Sequence, residues 1–109
     1  MAFLYCVVEY DGGDNGPCKV GVTNNLPARL SSLQGGNSRR LLFAWCIELD
    51  RDDALELEGH LLRWFRPSIF SNGGRTTVRL ASEWLAIGHE AIKSRADEYI
   101  EACFEKAPA

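Results

Sequence analysis

Phe3-Leu4-Tyr5-Cys6-Val7-Val8-Glu9-Tyr10 and Cys18-Lys19-Val20-Gly21-Val22 decide how this chain reads. Both segments are rich in β-branched and aromatic residues, the composition of strands. Asp11-Gly12-Gly13-Asp14-Asn15-Gly16 between them is turn chemistry, so the two strands form an antiparallel hairpin. Side chains alternate faces along a strand, so Lys19 and Gly21 share one face while Cys18, Val20 and Val22 share the other. If Tyr5 pairs on the Lys19 face, Gly21 leaves room for a ligand beside the tyrosine and the lysine. Otherwise Tyr5 is a core aromatic. The next helix places Arg29 in its first turn, so a tyrosine, a lysine and an arginine fall on one small unit and point to an anion site.

Working outward, Thr23-Asn24-Asn25 offers helix N-cap residues, and Pro27 suits a first helical turn. That helix runs to about Gln34 and ends at Gly35-Gly36-Asn37. Leu41 to Leu49 reads as a third strand, apolar on both faces and therefore expected at the centre of the sheet. Asp50 to Asp53 opens a second helix, its acids at the positive end of the dipole, and the helix continues to Phe65 before Pro67. Ser68 to Leu80 reads as loop with a short extended piece at Thr76 to Val78. Ser82 is expected to cap a long final helix to about Glu105, with Leu85, Ile92, Ala96, Tyr99 and Cys103 as its apolar stripe. The expected fold is α+β: a small three-stranded antiparallel sheet flanked by helices, in the order ββαβα plus a long C-terminal helix.

The 109 residues suit one domain. No apolar run approaches the ~20 residues that span a bilayer, and Ala2 to Val8 lacks the basic flank of a signal peptide. A cytoplasmic protein without membrane contact is the expectation. Cys6, Cys18, Cys46 and Cys103 show no CxxC pair, so they read as small buried hydrophobes rather than zinc ligands or a disulfide framework. The net charge of −3 argues against a general nucleic-acid binder. Its distribution softens this. Gly59 to Ser82 carries Arg63, Arg66, Arg75 and Arg79 with no acid, either a solvated surface or a face for transient phosphate contact.

Helical geometry singles out one acid. With Ala54 at zero and 100° per residue, Leu57, Leu61, Trp64 and Phe65 fall within about 80° of zero. Glu58 falls at about 40°, inside that apolar face, while Glu56 and Arg63 point to solvent. A carboxylate in an apolar stripe needs a partner. An internal salt bridge to Arg29 or Lys19, metal ligation and catalysis are the three explanations. His60 stands at the margin of the face and His89 on the final helix, and both read as boundary or surface residues.

These residues resemble the GIY-YIG nuclease superfamily over roughly residues 3–85. Phe3-Leu4-Tyr5 is similar to the first motif, with its tyrosine kept. Lys19-Val20-Gly21 followed by Thr23 is similar to the second, with lysine where the motif has tyrosine. Arg29 matches the family's arginine. Glu58 with Leu61, Leu62 and Pro67 resembles the glutamate helix of the excision-repair incision nuclease domain. Ser82-Glu83-Trp84-Leu85 resembles the Gly-Glu-Trp-Phe element of the phage-associated and meiotically up-regulated gene branch.

The resemblance implies a single GIY-YIG-like domain over 1–109 that hydrolyses phosphodiester bonds in nucleic acid, DNA foremost. Glu58 would hold one Mg²⁺ or Mn²⁺ beside the scissile phosphate. Tyr5 would act as general base, with neighbouring cations favouring its phenolate. Arg29 would clamp the phosphate, and Lys19 would add positive charge. Gly21, Thr23, Arg63, Arg66 and Arg75 are candidate substrate contacts. The alternative is a catalytically inactive module of the same fold that binds nucleic acid or a protein partner. A homodimer through the final helix, with Tyr99, Ile100, Cys103 and Phe104 at the contact, is a further expectation.

Overall fold

The computed structural model describes residues 1–10, 16–35, 39–65, 84–85 and 87–104. The elements are β1 (Ala2–Glu9), β2 (Cys18–Thr23), α1 (Leu26–Gly35), β3 (Leu41–Leu49), α2 (Arg51–Trp64), β4 (Trp84–Leu85) and α3 (His89–Tyr99). A π-helical turn, Ile100–Phe104, continues α3. The first three strands and first two helices fall where the apolar patterns and turn residues place them. The Asp11–Gly16 turn (all but Gly16), the Thr76–Val78 piece and Ser82 lie outside the described residues.

The fold is α+β with an antiparallel sheet, but the sheet has four strands rather than three, in the order β3-β1-β2-β4. Two expectations are corrected here. Trp84 and Leu85 do not begin the final helix. They pair with Lys19 and Cys18 as β4, and the helix starts at His89 after Gly88. And β3 is not central. It pairs with β1 alone among the described strands, and β1 holds the middle.

The apolarity of β3 has another cause. Helices cover both faces of the sheet, so a strand at either lateral position must be apolar on both sides. Leu4, Cys6, Val8, Cys18 and Val20 point to one face, where Leu57, Leu61 and Phe65 of the α2 segment and Ile92 and Ala96 of α3 pack on them with Leu85. Tyr5, Val7 and Leu41 point to the other, against Leu26, Leu30 and Leu33 of α1 and against Phe43 and Trp84. Fully burying each leucine on these faces contributes about 1.5–3 kcal/mol. The β1–β3 register shifts between Cys6 and Val7, which pair with Trp45 and Phe43, leaving Ala44 as an extra residue that bends the strand.

Cys6 and Cys18 are the buried small hydrophobes expected, while Cys46 and Cys103 are exposed. A hydrogen bond with Cys18 and burial together push the Cys6 thiol upward, and Cys18 donates to the Ile87 carbonyl at 3.3 Å. The same hydrogen bond with Cys6 shifts the Cys18 thiol downward against its burial, and both side chains pack inside the core. Among the described residues no helix is long and apolar enough to cross a membrane.

Candidate functional site

The hairpin register settles where Tyr5 points. Tyr5 pairs directly with Gly21, and Val7 with Lys19, so Tyr5, Gly21 and Lys19 share the α1 face of the sheet. Asn25 opens α1: its side-chain oxygen accepts the Ala28 N–H at 3.1 Å, and its carbonyl accepts the Arg29 N–H at 3.0 Å. That cap fixes Arg29 in the first turn, over the Tyr5 end of the sheet. The Arg29 Nε donates to the Tyr5 Oη at 2.9 Å.

Among the described residues β4 pairs with β2 only at Cys18 and Lys19. Beyond that point the edge of β2 opens into a cleft of about 290 Å³ that α1 and α2 flank from opposite faces. Tyr5, Lys19, Gly21 and Arg29 line it from one side, and Leu55, Glu58 and Leu62 of α2 from the other, with Val20 and Val22 along the strand between. Four elements thus deliver Tyr5, Lys19, Arg29 and Glu58 to one place. Among the described residues two cations and one carboxylate line it, a formal excess of one positive charge.

The space beside Gly21 is not free for a ligand, and this corrects the expectation. The ring of Tyr5 fills it: a Cβ built on Gly21 would lie 2.5 Å from Tyr5 Cζ and closer still to its hydroxyl. The glycine lets the ring lie flat over β2, and Tyr5 is 0% exposed, stacked edge-on to Phe43 at 5.5 Å. Tyr5 is therefore both a core aromatic and a lining residue of the cleft.

Thr23 and Arg63 are not among the residues lining the cleft. Thr23 is used locally, its Oγ1 accepting the Asn25 N–H at 3.1 Å, and Arg63 is exposed on α2. Arg66 and Arg75 lie outside the described residues. Leu55 and Leu62 were not foreseen as site residues. Their spacing from Glu58, three residues before and four after, was the signal that could have found them.

Glu58 is half-buried in the cleft wall, as its place on the apolar face of α2 requires. Among the described residues it is the one carboxylate lining the cleft, and no group of three His, Cys, Asp or Glu fit to hold a metal occurs. A single carboxylate still fits a hard cation of the Mg²⁺ kind, which commonly takes one or two protein carboxylates and fills its shell with water and phosphate oxygens.

Comparison with protein-family profiles, curated proteins and solved structures finds no match.

A second cluster joins α2 to α3. His60 stacks on Tyr99 at 4.2 Å, and its Nε2 accepts the Arg95 Nε–H at 3.0 Å. Tyr99 Oη donates to Glu56 at 2.6 Å, and that carboxylate pushes the Tyr99 phenol up to about 12. Trp64 does not join the buried face of α2 as its wheel position suggests. It is 55% exposed, with the Arg95 guanidinium 3.8 Å from its ring centre. Tyr99 and Phe104, expected at a dimer contact, pack on each other at 5.5 Å, and Ile100 and Phe104 pack against the core.

Proposed function

We propose that this chain is a GIY-YIG-like endonuclease that hydrolyses nucleic-acid phosphodiester bonds with one divalent metal. The convergence of Tyr5, Lys19, Arg29 and Glu58 on one cleft carries the reading. These four residues are widely separated in sequence, and the resemblance assigns a catalytic role to each.

In this mechanism Lys19 and Arg29 bind the phosphate oxygens and offset the charge that builds on them. Arg29 is suited to a two-pronged contact, because its Nε is already engaged by Tyr5 and its terminal nitrogens remain donors. Glu58 would hold Mg²⁺ or Mn²⁺, which supplies Lewis-acid polarisation of the phosphate. Tyr5 acts first as a positioning residue for Arg29. Its use as general base requires the hydroxyl to become reachable by water. Leu55 and Leu62 limit water at the rim.

Plasmid nicking in Mg²⁺ or Mn²⁺ tests the reading. Wild type is expected to nick and Glu58→Ala to lose activity by a hundredfold or more, while equal nicking by the two overturns it. The full burial of Tyr5 favours one other reading, a module that binds phosphate without cleaving it. In that case Lys19→Ala weakens nucleic-acid binding, no nicking occurs, and Mn²⁺ affinity does not depend on Glu58.

A further inference from the structure

Leu55, Glu58 and Leu62 stand at i, i+3 and i+7 of α2 and form one row along the helix, and all three line the cleft. At 1.5 Å of rise per residue the two leucines are about 10 Å apart along the axis, with Glu58 between them. Leu55 is 42% exposed. The anion-binding part of the cleft is thus bracketed by apolar groups, one about a helical turn to each side. A free phosphate gains nothing from such neighbours. A phosphate that joins two nucleosides does, because the groups on either side of it carry apolar faces.

A duplex matches this arrangement poorly. Its bases turn inward and its outer surface presents phosphates in series, so the leucines would meet hydrated anions. Proteins that hold duplex backbones use many cationic contacts. Lys19 and Arg29 are the cations lining this cleft among the described residues, and its volume of about 290 Å³ suits a unit the size of a nucleotide.

We propose that the cleft takes an unpaired nucleic-acid strand, with one phosphate at Lys19 and Arg29 and the flanking nucleosides against Leu55 and Leu62. This rests on the nuclease reading above and specifies its substrate. Fluorescence anisotropy in EDTA, where turnover is blocked, tests it with a short labelled oligothymidylate and with the same strand paired to oligodeoxyadenylate. The unpaired strand is expected to bind at least tenfold more tightly than the duplex. Leu55→Ser is expected to weaken strand binding about fivefold to tenfold, the effect of removing one partly buried leucine contact. Leu55 is exposed enough for this variant to fold, which a circular dichroism melt checks. Equal affinity for strand and duplex, or a Leu55→Ser variant that binds the strand as wild type does, overturns the proposal. If that result comes with Glu58-dependent nicking of duplex plasmid, hydrolysis stands and only the strand preference falls. No binding and no nicking removes both.

Discussion

Replacing Gly21 with alanine adds one methyl group at the point where β2 is overlaid by the Tyr5 ring. The new carbon would lie 2.5 Å from Cζ and 3.0 Å from Cε2, inside any tolerated carbon–carbon contact. The backbone at Gly21 is not in the left-handed region, so the whole penalty is steric. The ring has nowhere easy to go. It is fully buried, it meets Phe43 edge-on, and its hydroxyl is tied to Arg29. Overpacking of this kind costs about 1–3 kcal/mol. A displaced ring also gives up the Arg29 hydrogen bond, worth about 1 kcal/mol. The sum, about 2–4 kcal/mol, lowers the urea midpoint by about 1–2 M for a domain of this size. Urea denaturation followed by tryptophan fluorescence reads it directly. The discriminating measurement is the double variant Gly21→Ala with Tyr5→Leu. Tyr5→Leu alone is destabilising because it leaves a cavity, but in the double variant the methyl occupies part of that space. The pair should therefore be less destabilised than the sum of the two by at least about 1 kcal/mol. Strict additivity would show that the methyl never meets the ring, and the account of Gly21 would fall.

Tyr5→Phe keeps the ring and removes only the hydroxyl, so it should cost about 1 kcal/mol of stability by urea denaturation. Its nicking rate should fall by more than stability explains, since Arg29 loses its anchor. Leu85→Ala should destabilise by about 2–4 kcal/mol, because Leu85 is fully buried between β2 and the α2–α3 side. Burial, Arg95 and Arg63 hold the His60 imidazole below its usual 6.5, and Tyr99 stacks on it with Glu56 beyond. A depressed folded value means that the unfolded chain takes up the proton first. Stability contributed by neutral His60 is therefore complete above about 6.5 and declines as pH falls from there towards the folded value. The urea midpoint should drop across that window in wild type, and less in His60→Gln.

The sequence was most legible where one pattern answers one question. The β-branched runs of β1 and β2 and the wheel of α2 led to the right elements, and the wheel found Glu58 without any contact being known. Lateral order in the sheet was not legible. Leu41 and Phe43 serve the α1 face while Leu42, Trp45 and Ile47 serve the other, so two-sided apolarity reports the number of layers and not which strand lies in the middle. The two-residue strand β4 is too short to show a period of two, and Ser82-Glu83 ahead of it imitates a helix start. Trp64 was misplaced because a wheel sees only its own helix. Its exposed ring is covered from α3 by Arg95, a long-range contact. The room at Gly21 was a question of who fills it, and only the register of β1 answers that.

The cleft is assembled from parts of unequal firmness. Tyr5 lies on β1, hydrogen-bonded on both sides to β2 and β3, whereas Arg29 comes from a short helix with no buried residue. Opening free energies in a native protein are largest for such interior strands and smallest at peripheral helices. Amide exchange should thus be slowest at the floor of the cleft and fast along α1. The side chain that sets the geometry is anchored at the cost of global unfolding, while the arginine it holds can be released by a local fluctuation of one helix.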